Sequence, residues 1–275
     1  RQYVQPVNYG LNDVDGAGVG DGVLASIEDE ANGFADLLRF DYDQAISGYS
    51  NKITYMTPVF NGFQAGISYT PEITAGSNGF GGVNDDDVIE DYGDVIDIAA
   101  RYEGQVGEVG IALGAGYTTA DSEKNDAAPA VLDDRDAWNV GIDLDWGPFG
   151  LGFAYTEDDL GLEGDADRET FVVGVDYTTG PFKLGASYYN QDQELDGLGD
   201  LDADANIGGN YSFGLGAAST GELETERWTG GVVYTYGPGM TFRGSISYIE
   251  NELPAAIGTA DMEATSVLLG TLINF

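Results

Sequence analysis

Carboxylates are what this chain has most of: 48 Asp and Glu stand against 10 Lys and Arg, with no Cys and no His. Paired carboxylates can share a proton for acid–base work or hold a hard cation through their oxygens. Acids this numerous make any single pair weak as a mark of catalysis, so an enzyme built on such a pair is a minor alternative. Without His or Cys, Ser-His-Asp and Cys-His nucleophile systems and His- or Cys-ligated zinc are excluded. Asp200, Asp202, Asp204 and Asn206 are spaced like the start of a calcium loop, but the Gly and Glu that would complete it are missing. A solvated acidic loop is expected there, with no cofactor and Ca²⁺ or Mg²⁺ only as loosely bridging ions. A net charge of −38 excludes nucleic acid, whose binding needs basic surface.

The positions of the acids show what must carry them. They cluster at 85–94, 121–136, 157–169, 192–204 and 222–226, between runs that alternate apolar and polar residues, so the charge is expected on loops. Hydrophobic residues make up 42% and mean hydropathy is −0.18, with no apolar run of the length a membrane helix needs. A transmembrane barrel stays open, because its strands are apolar on one face only. The 275 residues suit one such unit, and 42 Gly with 17 Tyr and 12 Phe favour strands and turns. No disulfide can form, and the stretch from Arg1 has no basic segment followed by an apolar core, so a signal peptide is expected to be removed or upstream.

From Asn51 onward the chain reads as eleven strands at period two. Ile53, Tyr55 and Thr57 begin the series; Val267, Leu269, Thr271, Ile273 and Phe275 end it. Alternation alone also fits a soluble sheet. Two patterns favour the membrane. Tight turns at 60–62, 104–107, 146–148, 180–181 and 237–239 alternate with long connections, as the short and long ends of an outer-membrane barrel do. Aromatics bracket the apolar faces: Trp138 and Trp146, Phe149 and Tyr155, Phe171 and Tyr177, Phe182 and Tyr188, Phe242 and Tyr248, with Trp228 and the terminal Phe275 in phase. At about 3.3 Å per residue, such pairs frame much of a thin hydrocarbon band as two girdles.

If the apolar parity faces lipid, Lys52, Arg101, Arg135, Arg168, Lys183, Arg227 and Arg243 all fall on the other parity, toward the lumen. Lipid alone would impose this, since Arg or Lys at the midplane costs about 2–4 kcal/mol. A wet lumen is the fuller reading, supported by small inward residues such as Gly110, Ala112, Gly114 and Gly116, although glycines can also mark strand curvature. Residues 1–50 differ. A Gly- and Asp-rich stretch precedes Leu24, Ile27, Ala31, Phe34 and Leu38 at helical spacing, with Ser26 and Asp29 placed as a capping box.

The stretch 51–72, NKITYMTPVFNGFQAGISYTPE, resembles a motif of alphaproteobacterial general porins, and the hairpin pattern extends the resemblance to the last residue. What it implies is an all-β antiparallel transmembrane β-barrel of 16 strands when intact, a passive diffusion channel in a Gram-negative outer membrane, and a homotrimer in contact with lipid and lipopolysaccharide. This chain would hold about 11 strands (51–275) and a constriction segment (1–50) folded into the barrel, the earlier strands lying upstream. The constriction acids would come from Asp13, Asp15, Asp21, Glu28, Asp29, Glu30 and Asp36, facing Arg39, Lys52, Arg101 and Arg243, with Arg135, Arg168, Lys183 and Arg227 elsewhere in the lumen. A structural or partner-binding barrel with incidental transport is the alternative, its surface the acidic connections at 71–93 and 192–226.

Overall fold

A computed structural model describes residues 46–47, 52–73, 92–122, 133–161, 166–194, 206–207, 211–212, 222–237, 239–252 and 262–273. The segment expected to form the helix, the acids from Asp13 to Asp36, Arg39, the three aspartates from Asp200 to Asp204, and Phe275 lie outside the described residues.

The alternating runs fold as β1 (Ile53–Met56), β2 (Phe63–Glu72), β3 (Tyr92–Val106), β4 (Val109–Ser122), β5 (Arg135–Trp146), β6 (Phe149–Asp158), β7 (Asp167–Thr179) and β8 (Phe182–Glu194). A two-residue pair, β9 (Asn206–Ile207) and β10 (Tyr211–Ser212), stands apart, followed by β11 (Glu222–Gly237), β12 (Met240–Glu252) and β13 (Met262–Ile273). The 11-stranded sheet runs β1 to β8, then β11, β12 and β13, each strand antiparallel to the next in that order. Its edges are β1 and β13, and among the described residues these two do not pair.

The turns have a local cause. Asn61 and Gly62 both take positive φ, 50° and 85°, which suits a two-residue hairpin whose twist matches the strands. Gly62 is also required by space, since a Cβ there would stand 2.0 Å from the Glu103 carbonyl oxygen. The register shifts twice among the described strands, between Thr235 and Gly237 of β11 and between Gly93 and Ile96 of β3, where Asp94 adopts φ 48°, the mark of a bulge.

The two faces differ as the pleat requires. Ile53, Ile67, Ile98, Leu151, Val175, Ile246, Val267 and Leu269 are all exposed on one face, reaching 81% exposure at Leu269. A continuous apolar face of this extent would be unstable in water and suits hydrocarbon. The other face carries Ser68, Thr118, Ser187, Thr225 and Thr229, all buried.

The strands are longer than alternation indicates. Glu222, Glu224 and Glu226, expected in a loop, lie in β11; Glu157 belongs to β6, Glu169 to β7, and Asp192 and Glu194 to β8. Backbone pairing needs no apolar side chain, so the ladder continues past the point where the membrane demands one. Part of the loop charge is therefore strand-end charge.

Candidate functional site

The polar face is the candidate pore wall, and six of the cations expected on it are placed by strand register; Lys52 lies just before β1, and Arg39 lies outside the described residues. Arg101 on β3 stands opposite Gln64 and Gly114, Arg135 opposite Ala120, and Arg168 opposite Asp158 and Gln193. Lys183 faces Thr178 and Val233, Arg227 faces Tyr189 and Ile249, and Arg243 faces Val233 and Gly270. Each shares the parity of the buried hydroxyls, so strand alternation alone carries all of them inward.

Most of these cations are engaged by neighbouring wall groups, which the sequence could not show. Arg135 forms a two-pronged pair with Asp158, its Nε donating to Oδ1 at 2.8 Å and its terminal nitrogen to Oδ2, with both residues 8% exposed. The same corner is tied off by Leu160 N donating to Asp158 Oδ1 at 3.0 Å and by Tyr92 OH donating to the Gly161 carbonyl at 2.7 Å. Arg135 thus fixes the rim at the long-connection end. Arg168 donates twice to Gln193 Oε1, at 3.1 and 2.9 Å. The Arg227 guanidinium sits over the Tyr189 ring, 5.2 Å from its centre. Lys183 Nζ lies 2.9 Å from Asp176 Oδ2, and Arg101 is 4.0 Å from Glu103.

Inward acids are the residues that sequence reasoning missed. Asp97 on β3, Asp143 and Asp145 on β5 and Asp176 on β7 share the cation parity. Their signal was present: each sits inside an apolar-alternating run, where lipid forbids charge on the other face. Asp143, Asp145 and Asp176 gather near the short-turn end, whereas Arg101 and Arg243 lie toward the two sides of the sheet. The wall therefore carries both signs.

The small inward residues have a use beyond leaving space. The Asp176 carboxylate lies across Gly150, where a Cβ would meet Oδ2 at 2.4 Å, and the Asn139 amide lies across Gly116, with Nδ2 at 3.0 Å from the same point. These glycines are troughs that let longer polar side chains of the adjacent strand lie along the wall.

On the apolar face the aromatics form rows across neighbouring strands. Tyr188 and Trp228 lie opposite one another with ring centres 4.3 Å apart, and Trp228 faces Tyr248. Nearer the short turns, Phe149 packs on Tyr177 at 5.0 Å and Phe182 on Tyr234 at 4.9 Å, with Trp146 beside Phe149 and Phe242 beside Tyr234. Trp138 contacts Tyr155, and Phe171 contacts Tyr188. On the row toward the long connections, tyrosine hydroxyls donate to carboxylates: Tyr69 to Asp94, Tyr117 to Asp136 at 2.6 Å, Tyr155 to Glu157 at 3.2 Å and Tyr188 to Glu226. Rings toward the apolar band and hydroxyls toward charge is the arrangement an interface imposes.

A family profile described as Gram-negative porin matches residues 5–254. No curated protein compared with the chain matches it. Among solved structures, the chain is similar to the loop L8 deletion form of OmpT, an outer membrane protein of Vibrio cholerae, at 13% identity and TM-score 0.52, covering 86% of this chain and 71% of that one. It is similar to the outer membrane channel DcaP of Acinetobacter baumannii at 13% identity and TM-score 0.51, covering 86% and 66%. The anion-selective porin from Comamonas acidovorans aligns at 18% identity and TM-score 0.48, covering 81% of this chain and 57% of that one. The chain thus spans a little over half the length of that porin. These likenesses extend to the fold.

Proposed function

Because the chain belongs to the Gram-negative porin family, whose members reside in the outer membrane, we propose that its sheet is part of the wall of a water-filled channel for passive diffusion of small hydrophilic solutes and ions. The observation that supports this best is the wall's inner face. The six strand cations share one parity with the mid-strand acids Asp97, Asp143, Asp145 and Asp176, opposite a continuous apolar face, and an aqueous lumen accounts for both. No bond is made or broken, so the chain works without catalysis.

The electrostatic constriction is the finer part of the proposal. Opposed charges across a narrow aqueous opening set a transverse field that sorts solutes by size, charge and dipole. Arg101 and Arg243 are the strand cations best suited to it, and Asp13, Asp15, Asp21, Glu28, Asp29, Glu30 and Asp36 are the acids proposed to oppose them. The motif at 51–72 favours the alphaproteobacterial branch of the family. A homotrimer seated in lipid and lipopolysaccharide is proposed with it. Ca²⁺ or Mg²⁺ would bridge the acidic strand ends to lipid phosphates; among the described residues no three acids converge as a cage for a metal.

The test is swelling of proteoliposomes in neutral sugars of rising mass. Rates that fall steeply with solute size are expected. Liposomes that hold folded protein yet remain impermeable to the smallest sugar favour the structural barrel instead.

A further inference from the structure

One rung of the wall is a hydrogen-bonded hub that neither diffusion nor the membrane requires. Ser68 on β2, Asp97 on β3 and Thr118 on β4 are register partners, all inward. Ser68 Oγ donates to Asp97 Oδ2 at 2.7 Å and Thr118 Oγ1 donates to Oδ1 at 2.7 Å. A third hydroxyl arrives from outside the sheet: Ser47 Oγ donates to the same Oδ2 at 2.7 Å, from a residue fifty positions earlier and only 6% exposed. Lys52, just before β1, closes the network, its Nζ donating to Ser47 Oγ at 2.6 Å.

We infer that Asp97 is a positioning residue: it pins the chain ahead of β1 against the pore wall at Ser47 and, through Ser47, draws the Lys52 ammonium to the wall, so that it helps set the local width and charge of the opening. The two sheet hydroxyls orient the carboxylate, since each occupies a different oxygen from a neighbouring strand. Oδ2, which already accepts from Ser68, also accepts the hydroxyl of the incoming Ser47. An ionised acceptor strengthens each of these bonds relative to a neutral one. Lys52 is thereby part of a network, not a bare wall cation, and the hub explains why an acid stands at mid-strand between Ile96 and Ile98.

This rests on the reading of the sheet as a pore wall, and the experiment separates the two. The whole protein is recorded in planar bilayers beside Ser47→Ala and Asp97→Asn. Ser47→Ala removes no charge, so its expected effect is a rise of about twofold or more in open-channel current noise as the pinned chain loosens, with ion preference little changed. Asp97→Asn is expected to raise the noise similarly and also to shift permeability toward anions, because Lys52 is no longer offset. The double variant should be no noisier than the worse single variant, as two ends of one contact require.

A second variant pair covers poor folding. The chain has no cysteine, and the Ser47 and Ser68 hydroxyls lie 2.7 Å from the same carboxylate oxygen. Ser47→Cys with Ser68→Cys should therefore be linked by a short bifunctional thiol reagent, and the linked channel should be at least as quiet as the unaltered one. Failure to cross-link in folded protein, or unaltered noise in Ser47→Ala, overturns the inference alone. A folded, unaltered protein that passes no current overturns the channel reading and this inference with it.

Discussion

At Arg135 and Asp158 two charges are removed from water and repaid by a two-pronged bond, with the Leu160 amide taking a further lone pair. Removing one partner strands the other, which for buried pairs costs about 3–5 kcal/mol. Arg135→Ala and Asp158→Ala are each expected to lower resistance to urea by that order, whereas Arg135→Met with Asp158→Leu should recover most of it. Equilibrium unfolding in lipid vesicles measures this; single variants as stable as the unaltered protein would show that the pair bears no load. Parity placed Arg135 on the inner face from the sequence alone, but its partner lies 23 residues away on β6, a distance in sequence that no local pattern bridges. The same limit hid the Asp97 hub and the Tyr189 ring beneath Arg227, since each joins residues that only strand register brings together.

Among the elements, register converts a one-residue step into a change of solvent. Ile246 lies mid-strand on the apolar face of β12, while Arg243 on the same strand faces inward. Ile246→Arg is expected to cost about 2–4 kcal/mol, the penalty for a cation at the bilayer midplane, although the native strand already carries one Arg three residues earlier. Folding yield into vesicles checks it; an unimpaired variant would contradict the assignment of that face to lipid. The strands' existence, their order and their tight turns were legible because lipid enforces alternation and Asn61-Gly62 has a local conformational cause. Their ends were not. Beyond the apolar band nothing enforces alternation, so β11 begins within the acidic cluster 222–226, at Glu222, and β3 within the cluster 85–94, at Tyr92. The bulge at Asp94 was equally silent in the sequence.

For the molecule as a whole, a charge of −38 coexists with an apolar face because the described acids are moved to strand ends and to the inner wall. The sheet is an antiparallel run of 11 strands whose edges, β1 and β13, do not meet among the described residues. Closing a sheet into a barrel abolishes such edges, because every strand then has two partners. The membrane class could be read from the sequence because it is a statement about periodicity; the constriction could not, because it depends on which acids meet which cations across space. Single-channel recording of the whole protein in planar bilayers tests the central claim most directly. The expected result is stepwise, ohmic current that scales with salt concentration and reverses, in a salt gradient, at a potential showing mild cation preference. Folded, membrane-inserted protein that passes no current would contradict it.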